Sequence, residues 1–214
     1  MDINDIDDFA DDKDIQESRR LQAEYNKLIA DCETMVCEEF NLQESEIEPD
    51  LSAFEIPKSI GTIDGEFLYY SPDNSSPFRA YLIAYQWSHH SSRNSASGNA
   101  HCWLGSIQLT KEFPLTFIYK ETVKEKIVNW FVKGDVDFKE HKKFSGKFHV
   151  VTKDKEKLTW LLNNKPLDEL TDFPEMEIEI SGTECMFRVS KETIDIEPTK
   201  QFIQLAKKLI KILG

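Results

Sequence analysis

The residues best suited to chemistry in this sequence gather around a polar segment, Ser88–Ala100, which reads SHHSSRNSASGNA. His89 and His90 lie inside it, and His101 and Cys102 follow at once. Imidazole and thiolate are zinc ligands, but zinc needs three or four ligands converging on one point. Adjacent histidines point apart on an extended chain, and none of the familiar Cys/His spacings is present. The segment is more simply a flexible, solvated hairpin tip, or else a binding loop that carries Arg93 toward a ligand or partner.

Acid–base chemistry has two candidate carboxylate pairs, Asp135/Asp137 and Glu177/Glu179. A strand sends residues i and i+2 to one face, so each pair reads as a wet sheet face rather than as an opposed acid and base. His141 and His149 stand beside aromatic residues and read as packed side chains. Nucleophile elbows, phosphate loops, zinc-protease helices and dinucleotide fingerprints are missing, and 8 glycines leave little room for a phosphate cradle. The prediction is a non-catalytic chain with no cofactor. The four cysteines, Cys32, Cys37, Cys102 and Cys185, read as free thiols, and Cys32 and Cys37 do not share a helix face.

The elements that must position these residues follow from hydrophobic period. Leu21, Tyr25, Leu28, Cys32 and Met35 form the clearest helical seam in the chain, behind capping-box spacing at Asp14–Glu17. This predicts an amphipathic helix over 13–43. It suits packing across the chain's own sheet and is also compatible with a homodimer through helix 14–40. Residues 44–58, acidic and broken by Pro49 and Pro57, read as a linker. Over 59–133 the pattern predicts an antiparallel β-meander with strands at Gly65–Tyr70, Phe78–Trp87, His101–Thr110 and Leu115–Tyr119. A short helix, Glu121–Phe131, ends that region.

The last region, 134–214, opens with a strand at Lys147–Thr152 and a helix capped by Asp154 with Leu158, Leu161 and Leu162 on one face. Asn163–Pro166 breaks that helix and starts another. Met176, Ile178 and Ile180 then alternate with Glu177 and Glu179, Ser181-Gly182-Thr183 turns the chain, and Cys185–Val189 returns it. That predicts a hairpin, and the whole a β-α-α-β-β unit. A closing helix from Pro198 to Leu213 buries Phe202, Leu205, Ala206, Leu209 and Leu213. The predicted fold class is α+β, with helices packed on one side of the sheet. One sheet and two small domains divided near Lys133-Gly134 are both compatible with the pattern.

The spacing of Asp135–Phe138, Phe144–Val150 and Asp154–Leu162, followed by L-D-E-L and a Gly-centred turn, resembles an uncharacterised prokaryotic domain family. Its members carry a phenylalanine-framed strand, a helix ending in a leucine pair and a terminal hairpin, usually behind one or two transmembrane helices. The resemblance covers the last two-thirds of the chain and implies an interaction or regulatory domain with no assigned chemistry. This chain departs from the family in having no apolar run long enough to span a bilayer.

Charge is unevenly spread. The net charge is −13, and the segment from Met1 to Ile56 holds 18 of the 39 acidic residues and 4 of the 26 basic ones, a balance of −14. The remainder carries +1, which excludes a general nucleic-acid binder, because phosphate requires a basic surface. Residues 1–12 read as a disordered acidic tail whose Asp7, Asp8, Asp11 and Asp12 are candidate contacts for a protein partner. No signal-peptide pattern opens the chain, so a cytoplasmic location is expected. Three functions fit: a non-catalytic interaction or regulatory domain, an acidic immunity-type inhibitor of a basic toxin or nuclease, and a small-molecule sensor with a pocket under the 88–100 loop.

Overall fold

The computed structural model describes residues 12–46, 50–60, 62–72, 76–90, 95–120, 136–189 and 194–214. The predicted helix Glu121–Phe131 lies outside these residues. The fold is α+β, as predicted. Helix α1 (Asp12–Phe40) precedes β1 (Gln43–Glu44), the one-turn helix α2 (Glu55–Lys58), β2 (Thr62–Tyr70), β3 (Phe78–His90) and β4 (Ser95–Lys120). Then come α3 (Lys142–Ser145), β5 (Phe148–Thr152), α4 (Lys155–Leu162), a 3-10 helix (Leu167–Asp172), β6 (Glu177–Arg188) and α5 (Ile196–Leu213). Among the described residues the strands form one antiparallel sheet in the order β1-β2-β3-β4-β5, with β6 also on β4. Ser106 pairs with both Arg79 and Met186, and Thr116 with both Thr152 and Ile180. β3 and β5 therefore follow one another along one edge of β4, and β6 runs along the other.

Two predicted features change. The segments His101–Thr110 and Leu115–Tyr119 are two arms of one strand, and the predicted hairpin at Gly182 is likewise one strand. Both arms of β6 pair with β4, not with each other, across register shifts at Gln108/Phe113 and Phe113/Thr116. Strict alternation cannot place Ile178 and Ile180 on the same face as Cys185 and Phe187, yet all four enter one core. An extra residue at Gly182, with φ +62°, resets the alternation. The bend there is sharp. A straight strand would hold residues 177 and 188 roughly 36 Å apart, yet their side chains touch.

One face of the sheet is covered by α1, α4, α5 and the 3-10 helix. Its centre is a stack of aromatic rings: Phe187 and Phe202 have ring centroids 5.5 Å apart, Trp103 and Phe202 5.6 Å, Phe78 and Phe202 5.9 Å. Gly105 pairs with Phe187 and lies under its ring, where a Cβ would come within 2.3 Å of the ring edge. The α5 face is buried as its spacing predicts, and Thr199 on it accepts a hydrogen bond from Trp103 Nε1 at 3.2 Å. Helix α4 also follows its sequence: Asp154 caps it by accepting from Lys157 N, and Leu158, Leu161 and Leu162 are buried. The predicted seam of α1 is packed from Tyr25 onward. Asn41, at φ +51°, ends that helix, with Leu42 N donating to the Cys37 carbonyl at 2.9 Å.

The opposite face is not left to solvent. The segment expected to be a linker runs across it, burying Leu51, Phe54 and Ile56 against Tyr81, Ile83, Tyr85, Cys102, Leu104 and Met186. Acidic composition and two prolines suggested an open chain. Three apolar side chains were enough to seat residues 51–60 as a strap on the sheet.

Candidate functional site

Of the residues singled out for metal chemistry, His101 and Cys102 are parted by the sheet. His89 and His90 belong to β3 and pair with Ala96 and Ser95, so most of the Ser88–Ala100 segment is strand rather than loop. The ladder continues through it because backbone pairing needs no apolar side chains. Residues 91–94, with Arg93, lie outside the described residues. His101 and Cys102 are neighbours on β4 and so face opposite ways. The His101 ring meets Tyr25 of α1, with Nδ1 3.1 Å from the tyrosine oxygen, whereas Cys102 is buried under the strap. Among the described residues no three His, Cys, Asp or Glu side chains form a metal-holding group.

The thiols are no better placed as nucleophiles. Burial pushes Cys102 and Cys37 up to about 11 and raises Cys32 and Cys185, so the thiolate is scarce at neutral pH. His101 is shifted down by burial, which favours its neutral form. His149 stacks near Tyr119 with centroids 5.9 Å apart. Asp137 is exposed, and Asp135 lies outside the described residues.

The pair Glu177/Glu179 departs most from expectation. The two carboxylates do share a face, but that face is dry: Glu177 is 8% exposed and Glu179 1%. Arg188, itself 2% exposed, clasps Glu177 through Nε at 2.7 Å and through Nη2. The same Nη2 donates to Ser59 Oγ at 3.0 Å, tying the strap to β6. Glu179 Oε2 accepts from Glu55 N at 2.7 Å and Ile56 N at 3.0 Å, the first free backbone donors of α2. Burial raises the Glu179 carboxyl above the ordinary glutamate range, and the two N–H donors hold it back. Each of these charges has a stated partner, and the cluster does structural work: it pins the strap over the bend of β6. Alternation alone could not reveal this, since a wet face and a strapped face give the same i, i+2 pattern.

Helix α1 shows the contrasting arrangement. Every side chain from Ile15 to Glu24 is exposed, whereas Cys32 and Val36 are fully buried. Leu21, predicted to open the packed seam, is 53% exposed, and Ile15 is 39% exposed. The second half of α1 is held by the core and by the ion pair of Glu39 with Lys207 of α5 at 2.6 Å. Among the described residues, the ion pairs of the first half lie within the helix, Arg20 with Glu17 at 2.5 Å and Glu24 at 3.9 Å. Asp12, assigned to the tail, is the first residue of α1, and Asp7, Asp8 and Asp11 lie outside the described residues.

The 88–100 segment expected to cover a cavity includes residues 91–94, which lie outside the described residues. A groove of about 640 Å³ lies at the opposite end of β3, around Phe78 and Arg79. No helix among the described residues is long and apolar enough to cross a membrane. No known protein family, no curated protein and no solved structure matches this chain.

Proposed function

We propose that the protein is a non-catalytic interaction module that docks a basic surface of a protein partner through the acidic first half of α1. The reading is carried by one observation: α1 is unpacked from Ile15 to Glu24 and packed beyond it. Tertiary packing supplies most of a helix's stability, so an exposed half bearing Ile15 and Leu21 suits a partner. The stretch 1–24 holds nine acidic and three basic residues, which selects a partner of opposite charge. An inhibitor that masks a basic toxin or nuclease is the narrower form of this reading.

The test is affinity capture by the wild-type chain beside a variant carrying Glu17→Arg, Leu21→Asp and Glu24→Arg. The expected partner is basic, binds the purified wild-type chain, releases with rising salt and is not held by the variant. A partner held equally by both chains, or no partner on the wild-type chain, contradicts the proposal.

A further inference from the structure

The strap across the second face of the sheet is held by side chains rather than by the backbone. It lies between β1 and β2, and among the described residues it pairs with no strand. Its backbone-to-backbone hydrogen bonds there are internal turns: Phe54 N to the Leu51 carbonyl at 3.1 Å, and Ile60 N to the Pro57 carbonyl at 3.0 Å. Attachment to the sheet comes from Leu51, Phe54 and Ile56 in the apolar cluster, from Glu179 accepting the Glu55 and Ile56 amides, and from Arg188 donating to Ser59.

What the strap covers is apolar. Tyr81, Ile83, Tyr85, Leu104 and Met186 are buried beneath it, together with Cys102. The other face carries a separate and larger cluster, with side chains of α1, α4 and α5, and there Cys32 and Cys185 are buried. The two clusters have no buried residue in common. The strands between them are joined by pairing in which the strap takes no part. A segment opens at the cost of the contacts it alone supplies. Three apolar anchors without a ladder cost far less to release than strands paired into the sheet.

We propose that residues 51–60 form a releasable cover: the strap lifts as a unit while the sheet and its helix-covered face stay folded, baring an apolar surface. Monomeric proteins seldom leave a large contiguous apolar patch exposed. The closed strap keeps this one from other chains and makes its exposure conditional on opening. The device lies on the face away from α1 and does not depend on a partner docked there.

The cysteines report on the two faces separately. Labelling of the full chain by iodoacetamide, followed at each cysteine by mass spectrometry and referred to its rate in the unfolded chain, measures how often each thiol becomes accessible. Cys102 is expected to label about tenfold or more faster than Cys32 and Cys185. Its rate should change little in low urea, because lifting the strap exposes little surface, whereas the rate at Cys185 should climb steeply. Leu209→Ala, in α5 on the helix-covered face, should speed Cys185 and leave Cys102 at its wild-type rate. Ser59→Ala removes the tie to Arg188 and should speed Cys102 about fivefold, the scale of one hydrogen bond. Equal protection of Cys102 and Cys185, a parallel rise of both in urea or in Leu209→Ala, or an unchanged Cys102 rate in Ser59→Ala would each overturn the proposal.

Discussion

The protein keeps acidic side chains in two opposite settings. On β6, Glu177 and Glu179 are buried and fully engaged, one by Arg188 and the other by the backbone of α2. On the first half of α1, Glu17 and Glu24 are exposed, and their ion pairs are local contacts with Arg20. The same functional group is therefore structural in one region and available in the other. What separates them is desolvation. A buried carboxylate must be partnered or it destabilises the fold, whereas an exposed one costs the fold almost nothing and can wait for an external partner.

Removing one member of the buried set should break the comparison most visibly. Glu177→Ala leaves Arg188 buried and unpaired, and urea unfolding should show a loss of about 3–5 kcal/mol. The paired change Glu177→Leu with Arg188→Met removes both charges and should recover most of that loss. A double variant as unstable as the single one would mean that the pair does more than neutralise itself.

Glu179 sharpens the point with a smaller effect. Glu179→Ala strands the N–H groups of Glu55 and Ile56 and should cost about 1–3 kcal/mol. Glu179→Gln keeps an acceptor oxygen and discards the buried charge, so it should cost less. The two chains should also differ with pH. Because burial raises the folded-state carboxyl, the folded protein holds that proton more tightly than the unfolded chain does. The stability of the wild type relative to Glu179→Gln should then fall as pH rises from the ordinary glutamate range through the raised value, and recover at lower pH. Stability curves measured in parallel across that window check the sign.

The smallest stability effects belong to α1. Glu17→Lys, Glu24→Lys and Leu21→Ser alter exposed positions and should each move stability by no more than about 0.5 kcal/mol. The first two should nevertheless weaken capture of a basic partner. A large loss of stability in any of them would mean that this half of the helix is packed in solution.

Elements whose pattern is local were legible from sequence. The buried face of α5, the Asp154 cap of α4 and the alternation of β5 all follow from spacing within a few residues. What was not legible depends on distant partners. Ser181-Gly182-Thr183 between two apolar runs carries the same signal for a hairpin and for a bulge, and only the pairing of both arms with β4 decides. The clue was present in the mismatch of even and odd apolar positions across Gly182. Similarly, Leu51, Phe54 and Ile56 gave too short a pattern to outweigh the acids around them, and the buried role of Glu179 depends on that strap. Two of the candidate metal residues are parted for a related reason: His101 and Cys102 are adjacent in sequence and therefore on opposite faces of β4. On α1 the periodicity extends through Leu21, but the packed part of the seam begins only at Tyr25.

The most direct test of the account is amide hydrogen–deuterium exchange along α1 in the isolated full-length protein, at low and high protein concentration. The account predicts strong protection in residues 28–40 and weak protection in residues 15–24, unchanged by concentration. Uniform protection along the helix would contradict it, by showing that the acidic half is already covered.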